Sequence, residues 1–423
     1  MRSARDDYAN APGRSGPCRV DRRNAPSAPR RLIGMSVAVP FSRPEIGEAL
    51  GSLETPCLVL EKSRLVANVE RLKRHLTPFG VQLRPHLKTA KSIDVARLAI
   101  DGAHGPITVS TLKEAEYFLS HGVSDLLYAV GIAPNKLEHV FDLRRRGANL
   151  TIILDNVDTA RLVAARSTER RDPLPVLIEV DSDEHRSGIK PADHTLIHVG
   201  RALHEGGATL RGVLTHAGSS YGLHGPASFE AMAEQERSRV VAAAKALRAA
   251  GLPCPEVSVG STPTAHFARD LSGVTEVRAG VFMFFDLMMA GIGVCGLEDI
   301  ALSVLATVIG HQRDKGWIIV DAGWMAMSRD RGTSRLPVDQ GYGVACDLAG
   351  RPIPDLIMID ANQEHGILAA RPGSQIKPPE LPVGAMLRIL PNHACATGAQ
   401  HDRYRVVDNG PTVSAIWPRL QGW

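Results

Sequence analysis

The sequence predicts an α/β chain: a parallel (β/α)8 TIM-type barrel followed by a β-rich C-terminal domain. Three observations predict it. From Val81 onward, short apolar runs alternate with longer segments of helical period, eight times over roughly 200 residues. After about residue 290 the apolar runs continue, but strong helical periods stop and Gly, Pro and Asn-Gly take over as punctuation. No G-x-G-x-x-G follows an early strand, which counts against a doubly wound open sheet.

Residues 1–34 come first. They hold eight Arg and three Asp, a net of +5, which leaves about −1 for the rest of a chain whose formal charge is +4. The folded part therefore carries no basic excess of the kind that binds nucleic acid. The tail is rich in Arg, Pro, Ala and Ser and has neither hydrophobic periodicity nor the apolar core of a secretion signal. Asp6, Asp7 and Asp21 argue against an organellar transit peptide. It is expected to be disordered, with Met35 as an alternative first residue. No apolar run approaches the ~20 residues of a membrane span. The six cysteines (Cys18, Cys57, Cys254, Cys295, Cys346 and Cys395) form no short-range pairs, so a reducing, cytoplasmic location is expected.

Residues 35–54 are assigned with the β-rich domain and residues 55–290 to the barrel. The segment "ETPCLVLEKSRLVANVERLKRHL" supplies one strand and one helix at the junction. The barrel strands read "VQLRPH", "PITVS", "LLYAV", "LTIILD", "PVLIEVD", "LRGVLTH", "EVSVG" and "EVRAGVFMF". Helices between them include residues 111–122, where Thr111 and Glu114 have capping-box spacing, and residues 228–251, closed by Gly251 and Pro253. Residues 291–423 contribute the strands "LSVLATVIGH", "GWIIVDAG", "PDLIMIDANQEHGIL", "GAMLRILP" and "RYRVVDNGPTVSAIW".

A barrel's active site lies at the C-terminal strand ends. There the sequence places His86 and Lys88, Ser110 and Thr111, Asp155 and Asn156, Asp181 and Arg186, His216, and Gly260-Ser261-Thr262. Lys88 follows an apolar strand; desolvation there would disfavour its ammonium form and free the amine for a Schiff base. Lys91 is expected in the first turn of the next helix. Gly260-Ser261-Thr262 can cradle a phosphate with backbone N–H groups and hydroxyls, although the same residues also make ordinary turns. In "PNHACAT", His393 and Cys395 stand two apart in an expected extended segment and so share one face. Imidazole and thiolate together make half of a tetrahedral zinc site. A buried cysteine beside a satisfied histidine fits the spacing equally well.

Taken together, "ETPCLVLE", "RPHLKTAK", "EVDSDEHRSGI", "THAGSSYG", "GSTPT", "VDAGWMAMS", "NQEHG" and "PNHACAT" resemble the pyridoxal-phosphate enzymes of the alanine-racemase-like fold (fold type III). Within them the chain looks most like the D-serine dehydratase and D-threonine aldolase group. The resemblance runs from about Leu53 to the C-terminus. It implies that Lys88 is the Schiff-base lysine and that Arg186 lies near the cofactor phenol oxygen. It also implies that His216 and Tyr221 line the cofactor pocket and that Gly260, Ser261 and Thr262 grip the phosphate. His393 and Cys395 match the pair that binds a divalent metal. His-x-Cys marks the dehydratase side of the group and favours zinc, with manganese or magnesium as alternatives. Two departures stand out. Ala279 and Phe282 replace the proline and tyrosine of an "RPGNY"-like segment, and Met288 and Met289 replace a more polar pair.

The resemblance thus implies a metal-assisted lyase that removes the β-hydroxyl of a small D-amino acid, acting as a homodimer. A D-threonine or 3-hydroxyaspartate aldolase would use the same parts to give glycine and an aldehyde. A racemase would need no metal, so "PNHACAT" argues against it. A non-catalytic cofactor-binding barrel would lack the substantial β domain.

Overall fold

The structure, a computed structural model, describes residues 45–423. The tail 1–34 and the first part of segment 35–54 lie outside the described residues. Strand β1 (Cys57–Glu61) is the first strand of the described residues. The barrel strands follow: β2 (Gln82–Leu83), β3 (Ile107–Val109), β4 (Asp125–Gly131), β5 (Asn149–Leu154), β6 (Pro175–Glu179), β7 (Thr209–Leu214), β8 (Glu256–Val259) and β9 (Glu276–Val277). Helices precede or alternate with them: α1 (Lys62–Leu76), α2 (Ile93–Ala99), α3 (Leu112–Ser120), α4 (Leu137–Arg145), α5 (Val157–Arg170), α6 (Thr195–His204), α7 (Pro226–Ala249) and α8 (Thr262–Phe267).

These eight strands form one parallel sheet in the order β2-β9-β8-β7-β6-β5-β4-β3. Its two edges meet through a parallel bridge between His86 and Thr108, with Leu87 N–H donating to Thr108 O at 2.9 Å. The sheet therefore closes on itself. Leu127, Ile153, Leu177 and Leu214 from β4 to β7 make an apolar layer inside it. The rest of the interior is polar. Arg84 Nε donates to Glu276 at 2.7 Å, Ser258 Oγ donates to the same carboxylate at 2.6 Å, and Arg278 Nε donates to Ser258 Oγ at 2.7 Å. Each charge in this chain of contacts is met by a hydrogen bond, as burial demands.

Past α9 (Leu287–Gly291) the chain builds β10 (Leu302–Gln312), β11 (Trp317–Val320), β12 (Gly343–Cys346), β13 (Pro352–Ala361), β14 (Gly366–Ala370), β15 (Met386–Pro391), β16 (Arg403–Val407) and β17 (Val413–Pro418). Two short helices, α10 (Trp324–Met327) and α11 (Ala394–Gly398), interrupt them. The nine-stranded sheet runs β11-β14-β13-β12-β15-β10-β1-β16-β17. Residues 48–50 run beside its edge, with Leu50 N–H donating to Pro411 O at 2.7 Å.

Three expectations change here. β1, assigned by sequence to the barrel unit, pairs antiparallel with β10 and parallel with β16 in the second sheet. Local pattern marks a strand but not its partner, and these partners lie far along the chain. "EVRAGVFMF" contributes only Glu276–Val277 before turning into a 3₁₀ segment at Val281–Met283. Its aromatic run is core packing: Phe282, Phe284 and Phe285 are fully buried. Lys91 stands outside α2, whose N-cap is Ser92. Its φ of 47° puts it in the left-handed region, and its ammonium lies 3.3 Å from buried Glu114.

Candidate active site

The C-terminal ends of the barrel strands and the loop before α11 surround a cavity of about 400 Å³, within the range of small-ligand pockets. Lys88, Arg186, His216, Tyr221, Gly260, Ser261, Thr262, His393 and Cys395 all line it.

Lys88 sits in the turn after β2 and its side chain is exposed to the cavity rather than desolvated as the sequence suggested. Its backbone N–H donates to His86 Nδ1 at 3.4 Å. The next residue, Thr89, contacts Cys395 Sγ through its hydroxyl at 3.1 Å. One turn of chain thus touches both the lysine and the His–Cys pair.

Across the cavity, β8 ends at Val259 and runs straight into Gly260. Its φ is 144°, and a Cβ there would fall 1.8 Å from the Arg278 carbonyl oxygen, so only glycine fits. Ser261 caps α8 in a capping box with Thr264. Glu236 of α7 braces the segment from behind, accepting the N–H groups of Gly260 and Ala217, each at 3.0 Å. Thr262 Oγ1 is buried without a partner. An orphan hydroxyl beside a side-chain-free backbone is the kind of vacancy that a phosphate oxygen satisfies. His216 Nδ1–H donates to Gly260 O at 2.7 Å and ties β7 to this cradle. Burial outweighs that carbonyl contact and lowers the imidazole pKa to about 4, leaving it neutral. Burial, reinforced by the nearby Cys395, holds the Tyr221 phenol well above its ordinary range.

His393 and Cys395 are not on a strand, which corrects the expectation. β15 ends at Pro391, His393 is the extended N-cap of α11, and Cys395 lies in its first turn. The two side chains still meet. Burial opposes the charged imidazole, but Asp330 and Cys395 outweigh it and push His393 up to about 11. Burial likewise opposes the thiolate, and His393 overcomes it and pulls Cys395 below its ordinary value. Asp330 accepts the His393 Nδ1–H at 2.6 Å. A carboxylate that only accepts keeps the proton on Nδ1, so a metal would displace the proton on Nε2 and bind there. Asp286 holds the helix start in place by accepting Ala394 N–H at 2.9 Å. Among the described residues no group of three or more His, Cys, Asp or Glu could hold a metal. A soft His–Cys pair with open positions suits a divalent ion that must also take a substrate oxygen.

Other nominated strand-end residues serve the fold. Thr111 and Asn156 cap α3 and α5, accepting Glu114 N–H at 3.0 Å and Thr159 N–H at 2.9 Å. Asp155 accepts Gly188 N–H at 3.1 Å and Asp181 accepts Glu184 N–H at 2.7 Å. Ser110 does reach the cavity. Met288 and Met289 form part of its wall. Asp330, Thr89 and Arg278 also line the cavity, and no local sequence pattern marks them. Asp330 is 63 residues from His393 in an irregular loop, and no spacing rule connects them.

With the geometry in place, comparison with known proteins is informative. Residues 60–287 match the family model "Alanine racemase, N-terminal domain", and residues 301–407 match "Putative serine dehydratase domain". The chain is 55% identical to the D-threo-3-hydroxyaspartate dehydratase of Delftia sp. (strain HT23), over 89% of this chain and all of that protein. The solved structure of the Delftia enzyme superimposes with a TM-score of 0.85 at the same coverage. Another structure of a D-threo-3-hydroxyaspartate dehydratase, 53% identical, is a cysteine-to-alanine mutant in the metal-free form. It has a TM-score of 0.84 and covers 89% of this chain and all of that one. D-threonine aldolase from Filomicrobium marinum is 25% identical, with a TM-score of 0.73, over 88% of this chain and 96% of that one.

Proposed function

The chain belongs to the alanine racemase N-terminal domain family, and we propose that it is a pyridoxal-phosphate- and metal-dependent dehydratase of D-β-hydroxy amino acids, with D-threo-3-hydroxyaspartate as its substrate. The observation that carries this reading is one cavity lined by a lysine, a glycine–threonine anion cradle and a His–Cys pair. The substrate rests on the 55% identity to a dehydratase of that compound.

When bound, pyridoxal phosphate supplies an electron sink for charge at the substrate Cα, and the metal supplies a Lewis acid for the β-hydroxyl. Lys88 would hold the cofactor aldehyde, and its amine, once released, takes the Cα proton. Gly260, Ser261 and Thr262 would hold the phosphate, with the free Thr262 hydroxyl donating to it. His216 stays neutral and fixes the cradle through Gly260 O. Arg186 lines the cavity 3.6 Å from Glu179 and would be the arginine that faces the cofactor phenol oxygen, as the resemblance implies. His393 and Cys395 would bind the metal, and Asp330 holds His393 in the ligating tautomer. Zinc is favoured by the thiolate, with manganese or magnesium as alternatives. Met288 and Met289 give the cavity an apolar stretch of wall that would limit water around a bound substrate.

Homodimer formation, a cytoplasmic location, and the division into tail, cofactor barrel and metal-bearing β domain belong to the same proposal. Among the described residues no helix is long and apolar enough to cross a membrane. An aldolase would use the same kind of cavity, and the likeness to D-threonine aldolase supports that second reading; Cys395 favours the dehydratase.

The test is metal removal. Dialysis against a chelator should stop ammonia release from D-threo-3-hydroxyaspartate, and re-added zinc or manganese should restore it. Activity indifferent to chelator would remove the role given to His393 and Cys395.

A further inference from the structure

Arg419, four residues before the last residue of the chain, is buried with 6% of its surface exposed. Its partners are carbonyls and a phenol. Nη2 donates to Thr89 O at 3.1 Å, and Nε donates to Ala90 O at 3.2 Å and to Tyr404 Oη at 2.7 Å. Nη1 donates to His401 O at 3.0 Å. Tyr404 in turn donates its hydroxyl to Ala90 O at 2.7 Å, and Leu420 N–H donates to Lys91 O at 2.7 Å. Two segments distant in sequence are therefore fastened to one guanidinium. One is the turn that carries Lys88; the other is the chain just past α11, which carries Cys395.

The fastening reaches both reactive groups through single steps. Lys88 is bonded directly to Thr89. Thr89 has its carbonyl fixed by Arg419 and its hydroxyl 3.1 Å from Cys395 Sγ. Gly398, at the end of α11, has no side chain, and a Cβ there would stand 3.0 Å from Arg419 Nη2. The helix end is thus cut back to let the planar guanidinium lie against it. A planar fork with donors on three nitrogens can hold several carbonyls at fixed angles, which an ammonium cannot.

We propose that Arg419 is a positioning residue that locks the Lys88 turn to the metal-bearing helix, so that the C-terminal segment sets the spacing between the cofactor lysine and the His393–Cys395 pair. The inference rests on the function proposed above for those residues. Loss of the clamp frees Thr89 and removes the contact that steadies the Cys395 sulfur, so metal binding suffers before cofactor binding does.

The experiment compares full-length, cofactor-loaded protein with Arg419→Met, Arg419→Lys and Tyr404→Phe variants. Two controls accompany them. Lys113→Met removes only an exposed contact to Gln421 O, and Glu61→Gln takes the counter-charge from buried Arg388, 3.1 Å away in the second sheet and outside the cavity lining. The readouts are the dissociation constant for zinc by equilibrium dialysis, the visible absorbance of the bound cofactor, and the thermal midpoint. Arg419→Met should weaken zinc binding about tenfold or more while keeping the cofactor absorbance. Arg419→Lys and Tyr404→Phe should fall between it and the unaltered protein, and they carry the test if Arg419→Met does not fold. Lys113→Met should bind zinc as the unaltered protein does. Zinc affinity within about twofold of the unaltered value in all three clamp variants would overturn the inference. So would a Glu61→Gln protein that loses zinc affinity to the same degree, because general loosening would then suffice. An unaltered protein that binds no zinc would instead overturn the proposed function, and this inference with it.

Discussion

His393 gives its Nδ1–H to Asp330 at 2.6 Å, so Nε2 is the nitrogen that would exchange its proton for a metal. If that hydrogen bond prepares the metal ligand, Asp330→Ala should weaken zinc binding by about 10- to 100-fold. Cofactor absorbance should persist, and equilibrium dialysis against zinc measures the effect. Lys88 permits an equally local test. A Lys88→Ala protein should lose the yellow absorbance of a protein-bound imine, whereas Lys91→Ala should keep it, because Lys91 is engaged with Glu114 and does not line the cavity. Every candidate residue carried over by motif reached the cavity, since each motif sits at a strand end or a helix start and the barrel gathers those ends. Asp330, Thr89 and Arg419 were not legible. Each acts through contacts made across long sequence separations, and a lone Asp, Thr or Arg in a loop carries no local pattern.

Among the elements, the cradle after β8 depends on one glycine. Gly260→Ala should cost about 3 kcal/mol of stability, because the new methyl meets the Arg278 carbonyl at a φ of 144°. It should also weaken cofactor binding, read by titrating the stripped protein with pyridoxal phosphate. In the second sheet, fully buried Arg388 on β15 pairs with Glu61 on β1 at 3.1 Å and donates to Ser303 on β10 at 2.8 Å. Glu61→Gln leaves that guanidinium without its counter-charge and should cost about 3–5 kcal/mol, measured by urea denaturation. These pairings explain what the sequence could say about elements. Apolar runs and caps located β3 to β8 within a residue or two, because each strand is buried and bounded by turn residues. β12 escaped notice because "GVAC" is only four residues long. The sheet to which β1 belongs was hidden, since Cys57 pairs with Leu305 far down the chain.

For the whole molecule, several imidazoles are held neutral by the fold. Burial lowers His216 and His266 to about 4, and burial with the nearby Lys88 lowers His86 well below its usual value. Between pH 6.5 and 4 the unfolded chain therefore binds more protons than the folded one, so stability present above pH 6.5 is lost as the pH falls. The thermal midpoint should drop between pH 7 and pH 5, and an unchanged midpoint would contradict this account of the buried histidines. The barrel and β-rich architecture was legible as alternation and its loss, while closure through His86–Thr108 was not, because periodicity does not say where a sheet ends. Incubation with D-threo-3-hydroxyaspartate, followed by analysis of both products, tests the central claim most directly. Loss of water and then hydrolysis predicts oxaloacetate and ammonia in equal amounts; glycine and glyoxylate in their place would contradict it.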